Sequence, residues 1–473
     1  MKKELQTRQI ASFALNTKYD DIGTKNIEQL KRHLLDAIGS LIHASSKPTI
    51  KKLTRQMQMM GENGVCQVPI VGNLPYDRAA QLFTALIRYP DFMDNFMAKE
   101  ATCHPSDNIG ALLAAAQFKK CNGKEFLTAM AVAYQIECRL VEEIPVMKKG
   151  IDHTLMLAYS ATAASARLIG LSKEQTAHAL GIIGSSISPM VTSRASYTYE
   201  WKGFASSMDV MECIGTAFLA REGMTGPIAI FEGPKGFKEI FGMKLDYDWS
   251  KETFELIRKC VLKRYNAEVH SQPSLEAITY LREQHHIQAA EVEKIEITTF
   301  LTAYHIIGSG AYGDRQIVET KEQADHSLFY LAAVALLDGK IYPLQLEPER
   351  INSKDVQSLL QKITVKTGFP IHQPVTLAGL LDPYTEAYPE KVKAKVEISL
   401  KNGSTFTCEK EDYHGFFTRP FNWDDTIDKF RKLSAGHVNA QVQQEIINLV
   451  QGIDLLDDII QLITFLSKNI KET

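Results

Sequence analysis

The 473-residue chain has no two cysteines at CxxC spacing, no apolar run near membrane-spanning length and no surplus of charge of one sign. Its seven cysteines, Cys66, Cys103, Cys121, Cys138, Cys213, Cys260 and Cys408, are scattered and odd in number. That argues against a disulfide framework, predicts a reducing compartment, and fits none of the usual zinc or iron–sulfur ligand spacings. The segment "MKKELQTRQIASFALNTKYDD" starts basic but carries no unbroken apolar core, and no stretch reaches about 18 apolar residues. The expectation is a cytoplasmic protein that does not enter a membrane. Lys+Arg 53 against Asp+Glu 56 leaves a formal charge of −3, which gives no general attraction to nucleic acid or to an anionic surface. An anionic ligand would need a local basic pocket.

What is present is ordinary globular composition, 45% hydrophobic and 23% charged, in a chain long enough for two domains. Residues 1–264 read as helices. Ile27, Leu30, Leu34, Ile38 and Leu41 form one apolar stripe. "GALLAAAQF" (110–118) and "EFLTAMAVAYQIECRLVEEI" (125–144) are two helices separated by "CNG", with Pro145 closing the second. "LAYSATAASARLIG" (157–170), rich in small residues, predicts a helix in a bundle interior that stops at Gly170. Ser172 with Gln175 is a capping box for the next helix. Beyond about residue 265 the texture changes. "VEKIEITTF" (292–300), "ITVKT" (363–367) and "KVKAKVEISL" (391–400) alternate like strands, and Asn402-Gly403 predicts a hairpin turn. Helices fall between them at 275–285, 324–339 and 353–363, and helix returns from about 424. The predicted fold is mostly α. A large helical domain forms from residues 1–264 and 413–473, with a smaller α+β domain at 265–412 inserted.

Several stretches carry chemistry. "DFMDNFMAKEATCHPSDNIG" (91–110) gathers Asp91, Asp94, Glu100, His104 and Asp107. On a helical turn Asp91 and Asp94 would share a face. Ser106 and Asp107 suit a helix start, as cap and first-turn acid, which is a complete structural account of those two. It does not account for His104 or Asp91, and a histidine near carboxylates can serve as a general acid or base. "SRASYTYEWKGFASSMD" (193–209) places Arg194 and Lys202 around an aromatic run, before small residues that let a ligand come close. A surface lysine beside a core tryptophan is the plainer alternative. "KRYNAEVHSQPSLEA" (263–277) has Lys263, Glu268 and His270 where the texture changes, either a cleft or a solvated linker. Asp325, His326 and Ser327 precede an apolar helix that carries Tyr330, and His153 stands alone in "KKGIDHTLM".

Taken in order, "DF-x-D…HPSDN" (91–108), "WKGFASSMDVMECIGTAFLAREGMTGP" (201–227), "AEVHSQ" (267–272) and "TKEQADHSLFYLAAVALLDG" (320–339) resemble the MmgE/PrpD family. That family includes 2-methylcitrate dehydratase, cis-aconitate decarboxylase and an iminodisuccinate epimerase. The resemblance implies a helical domain from both chain ends, an α+β lid, an active site in the cleft between them, a homodimer and no metal or other cofactor. It implies proton removal from carbon next to a carboxylate of a small polycarboxylate substrate. By position, Asp91, His104, Lys202, His270 and Tyr330 correspond to catalytic candidates. His153, Arg194, Lys263 and Asp94 are candidates for substrate binding. Two departures fall in the first stretch: Asp94-Asn95-Phe96 stands where the family often has Asp-Thr-Trp, and the Asp91-to-His104 spacing is one residue longer than in methylcitrate dehydratases. Glu268 stands where decarboxylases tend to have histidine. The expectation is therefore a dehydratase of a citrate-like acid, with decarboxylation, epimerisation and a non-catalytic family member as alternatives.

Overall fold

A computed structural model describes residues 4–61, 63–195, 197–369 and 381–471. The chain is mostly helical with a small sheet. It divides into two compact units, one of Met1–Val191, Gly203–Val261 and Phe421–Thr473, the other of Thr192–Lys202 and Leu262–Pro420. Among the described residues no helix is long and apolar enough to cross a membrane. All seven cysteines are free thiols, and all but Cys408 are buried.

The first unit is built on buried helix faces. The stripe Ile27, Leu30, Leu34, Ile38 and Leu41 is covered along the helix Thr24–Ala44, each such side chain contributing about 1.5–3 kcal/mol on burial. The small-residue segment forms the helix Thr154–Ile169, almost wholly buried, and Gly170 ends it in the left-handed conformation at φ +87°. Ser172 and Gln175 make the capping box of Lys173–Ser186. The helix Ala205–Arg221 packs on Tyr76–Arg88 and on Thr154–Ile169. Ile109–Ala115 comes so near Tyr76–Arg88 that a Cβ on Gly110 would lie 2.1 Å from Thr84 Oγ1 and 2.5 Å from Thr84 N. Only glycine fits there, and the close approach fixes the segment just before it, which carries His104.

The C-terminal helix Trp423–Ser434 lies along Thr24–Ala44, so the end of the chain completes the core begun near its start. Two small ribbons punctuate the unit: β1 (Cys66–Val68) with β2 (Gly72–Leu74), and β3 (Phe96–Met97) with β4 (Thr102–Cys103). The β3–β4 pair closes the loop between Asp94 and His104.

The second unit holds a four-stranded sheet of β5 (Val292–Thr299), β6 (Ile363–Thr367), β7 (Ala394–Leu400) and β8 (Thr405–Lys410), in the order β6-β5-β7-β8. β5 and β6 are parallel, and the other pairs are antiparallel. β7 alternates buried and half-buried residues, as its β-branched pattern predicts. Asn402-Gly403 turns β7 into β8, with Gly403 at φ +87°. The helix Gln272–His285 covers β7 and β8, and Leu328–Asp338 packs on that helix and on β6. The segment Thr192–Lys202, which the sequence texture grouped with the helices, belongs to this unit. Thr198 Oγ1 donates to the Glu322 carbonyl at 2.7 Å, and Lys202 reaches Asp325.

Candidate active site

In the first unit, residues 91–95 are not helical, so Asp91 and Asp94 do not share a helix face as their spacing predicts. Asp91 takes a left-handed φ of +53°, a conformation aspartate tolerates better than most residues. Its carboxylate accepts from Arg88 Nη1 at 3.2 Å. Arg88 is 1% exposed, and its Nε lies 3.8 Å from Asp107 Oδ2. Asp94 turns into the core instead. His33 Nδ1 lies 2.6 Å from Asp94 Oδ2, and the Ser106 N–H donates to Asp94 Oδ1 at 3.0 Å. Burial alone would raise the Asp94 carboxyl, but His33 and the Ser106 N–H hold it below its ordinary value.

The helix start also differs from expectation. A 3₁₀ turn begins at Pro105 with His104 in the cap position, and Ser106 serves Asp94 rather than capping. Asp107 does sit in the first turn.

His104 is 8% exposed. Its Nδ1 lies 3.0 Å from the Asp94 carbonyl and 3.1 Å from Asn95 Nδ2. A carbonyl only accepts, so Nδ1 carries the proton of the neutral ring and Nε2 keeps the lone pair. An amide NH2 cannot bond an N–H. Turning the Asn95 amide over exchanges its nitrogen for its oxygen at this position, and that assignment would let Oδ1 accept from the ring. Asn95 is one of the departures from the family pattern, and it rests directly on His104. The His153 ring lies 5.4 Å from the His104 ring, with Asp152 Oδ1 3.6 Å from His153 Nε2.

Behind this loop Glu137 is fully buried, accepting from Asn108 Nδ2 at 2.6 Å. Burial and the nearby Asp107 push its carboxyl well above the ordinary range.

In the second unit, the plain alternative for Lys202 is inverted. The lysine is 4% exposed and Trp201 is 53% exposed. Lys202 Nζ lies 3.0 Å from His326 Nδ1 and 3.5 Å from Asp325 Oδ1. Asp325 also pairs with Lys321 at 2.9 Å and with His326 at 2.7 Å. Burial opposes ionisation of Asp325, but the two lysines and His326 overcome it and lower its carboxyl.

The backbone N–H of Glu268 donates to the Asp325 carbonyl at 2.9 Å, which joins a second group to the first. Glu268 Oε2 accepts from the His270 N–H at 2.9 Å, Oε1 lies 2.7 Å from His270 Nδ1, and His270 Nε2 lies 3.0 Å from the Tyr388 hydroxyl. Burial works against the Glu268 carboxylate, yet His270, His326 and Lys263 hold it below its ordinary value. Lys263 and Arg315, both buried, complete the surroundings, and Arg315 interacts with Asp325 and Glu268. Residues 263–277 are thus no solvated linker. Arg194 is buried on the strand of chain leading to Lys202.

Tyr330 does not join these groups. Its hydroxyl donates to the Gln345 carbonyl, and the charges around it are Arg350, Asp338 and Asp355. Burial raises its phenol.

The sequence analysis missed His33 and Tyr388, and it named His326 without giving it a role. His33 had a signal: Gln29, His33 and Asp36 form a polar line at helical spacing on an otherwise apolar helix. Tyr388 had none, since it lies 118 residues from His270 in what reads as a connecting loop. Taken within either unit alone, no three His, Cys, Asp or Glu among the described residues bring ligand atoms close enough for a metal.

Comparison with known proteins agrees with this arrangement of segments. The MmgE/PrpD N-terminal domain matches residues 8–250, and the MmgE/PrpD C-terminal domain matches residues 265–373 and 379–455. The chain is 28% identical to 2-methylcitrate dehydratase of Escherichia coli (strain K12) over 438 residues, covering 88% of this chain and 87% of that protein. It is 26% identical to 2-methylcitrate dehydratase of Salmonella typhimurium over 392 residues, covering 79% and 78%. It is 24% identical to cis-aconitate decarboxylase of Mus musculus over 475 residues, covering 96% and 91%.

Proposed function

The chain belongs to the MmgE/PrpD family, and from that premise we propose that it is a cofactor-independent hydro-lyase that dehydrates a citrate-like polycarboxylate, 2-methylcitrate first. The observation that carries the reading is the charge around Lys202. Lys202, Lys263, Arg315 and Lys321 gather around Asp325 and Glu268 in the second unit. Cations held together in such a setting suit the carboxylates of a polycarboxylate, and they offset the charge that develops when a C–H next to a carboxylate is broken.

His104 takes the proton on Nε2. Its Nδ1–H bond to the Asp94 carbonyl fixes the ring and the tautomer. Asp91, oriented by Arg88, and His153 line the same loop region and bind the substrate's polar groups. Asp94, given to substrate binding by its position in the sequence, acts as the anchor of that loop. Lys202, Lys263 and Arg194 hold carboxylates. The C–H electron pair forms the double bond as the C–O bond breaks, and the leaving hydroxide takes a proton from the Glu268–His270 side and departs as water. As a family member the protein works as a homodimer, which its mass in solution tests.

Proton NMR of the purified protein in D2O with 2-methylcitrate, citrate, cis-aconitate and iminodisuccinate decides the reaction. An alkene product from 2-methylcitrate or citrate is expected. Itaconate from cis-aconitate would make the protein a decarboxylase, like the mouse relative. Deuterium exchange without net loss of substrate would make it an epimerase. No change with any acid removes the catalytic reading for this substrate class.

A further inference from the structure

Both ring nitrogens of His270 are engaged, and this decides what the residue can do. Glu268 grips the histidine twice, through the backbone N–H and through Nδ1. Its ionised carboxylate can only accept, so Nδ1 carries a hydrogen. Nε2 faces the Tyr388 hydroxyl at 3.0 Å. His270 is 1% exposed and Tyr388 7%. A proton entering or leaving Nε2 passes through the phenol oxygen.

We infer that Tyr388 is the proton-transferring residue on this unit, and that His270 and Glu268 are positioning residues acting through it. The inference rests on the lyase reading for its substrate, and on the Glu268–His270–Tyr388 geometry for the residue.

The aromatic setting fixes the phenol. Tyr388 stacks on Phe300 with ring centroids 5.0 Å apart and planes 19° from parallel, and Phe300 meets the His270 ring edge-on at 5.4 Å. With the ring so held, the hydroxyl has one direction toward Nε2.

The step balances as follows. In the loaded state the imidazolium donates Nδ1–H to Glu268 and Nε2–H to the Tyr388 oxygen. The C–O bond of the substrate breaks, and the leaving hydroxide takes the Tyr388 hydroxyl proton to become water. The Nε2 proton moves to the phenol oxygen, restoring the hydroxyl. His270 ends neutral with Nδ1–H still on Glu268, and a proton from solvent reloads it. No phenolate accumulates, because the proton is replaced as it is given. The arrangement parallels a nucleophile–histidine–carboxylate triad, with a phenol in the place of the serine and proton donation as its task.

The test uses the full chain with Tyr388→Phe, which keeps the ring and its stacking and removes only the hydroxyl, and with His270→Gln. Turnover of 2-methylcitrate is followed across pH. For Tyr388→Phe, kcat falls about 10²–10⁴-fold with KM changed less than about threefold. Tyr388→Phe with wild-type kcat and pH profile overturns the inference and leaves the lyase reading standing, since the wild type still turns over.

A second readout needs no activity. In 15N-histidine-labelled protein, the His270 resonances are assigned by their loss in His270→Gln. Tyr388→Phe is expected to shift the His270 Nε2 signal by several ppm while the Nδ1–H signal stays. An unmoved Nε2 signal overturns the relay even if the enzyme's true substrate lies elsewhere.

Discussion

His33 Nδ1 lies 2.6 Å from Asp94 Oδ2, and both side chains are almost completely buried. The pair joins the helix Thr24–Ala44 to the loop whose next carbonyl, that of Asp94, orients His104. A residue 71 positions upstream of the candidate base thus sets the direction of its lone pair.

Removing His33 leaves an ionised carboxylate in the core. His33→Ala is expected to cost about 3–5 kcal/mol and to lower kcat together with stability. Asp94→Asn, which leaves a neutral amide able to accept from Ser106, costs less. Urea unfolding of the two variants checks the order, and Asp94→Asn as the more damaging change would refute the pairing. The pH sign follows from the Asp94 carboxyl being held below its ordinary value. Its contribution is present above about pH 4, and is lost as pH falls through its lower folded value. The wild type is therefore expected to lose more stability than Asp94→Asn below about pH 4.

The same helix makes a second buried link. Lys429 Nζ bonds Asp36 at 2.7 Å and the Phe92 carbonyl at 2.6 Å, so the C-terminal helix Trp423–Ser434 holds the loop one turn from the His33 contact. Lys429→Met alone strands Asp36 and costs about 3–5 kcal/mol. Combining it with Asp36→Leu restores much of that loss, because an apolar pair of similar volume suits the core. A double-mutant cycle measured by thermal unfolding reads the coupling, and additive losses would disprove it.

Glu137 gives a pH dependence of the opposite sign. Its carboxyl is raised well above the ordinary range by burial and by Asp107. Its stabilising effect is therefore full below about pH 4.3, and is lost as pH rises toward the folded value. Glu137→Gln is expected to match the wild type near pH 4 and to be more stable at pH 8, in melting temperatures recorded across that range. A variant less stable at pH 8 than at pH 4, relative to wild type, would show that Glu137 is ionised in the fold.

Lys202 and Trp201 are adjacent in sequence and opposite in burial. Trp201→Ala is expected to change stability by no more than about 0.5 kcal/mol. If Lys202 holds a substrate carboxylate as proposed, Lys202→Met is expected to lower kcat/KM by about 10²-fold or more. Steady-state kinetics with 2-methylcitrate measure both. Wild-type kinetics for Lys202→Met remove it from the site.

Periodicity determined much of this protein by itself. The apolar stripe at Ile27 to Leu41, the capping box at Ser172, the stop at Gly170 and the turn at Asn402-Gly403 are local patterns. Each depends on residues within about four positions, so the chain spells them out directly. The resemblance in four ordered motifs gave the family in the same way, because residue type and order survive where packing is invisible.

Tertiary structure decided the partners. Asp91 and Asp94 look equivalent in sequence, yet a left-handed residue between Arg88 and Phe92 sends one to Arg88 and the other to His33. Lys202 is buried where its ammonium meets His326 and Asp325, more than a hundred positions away in sequence. Tyr330 gives its hydroxyl to the Gln345 carbonyl, whereas Tyr388, which no local pattern marks, meets His270, since the partner a hydroxyl finds is set by folding across long separations.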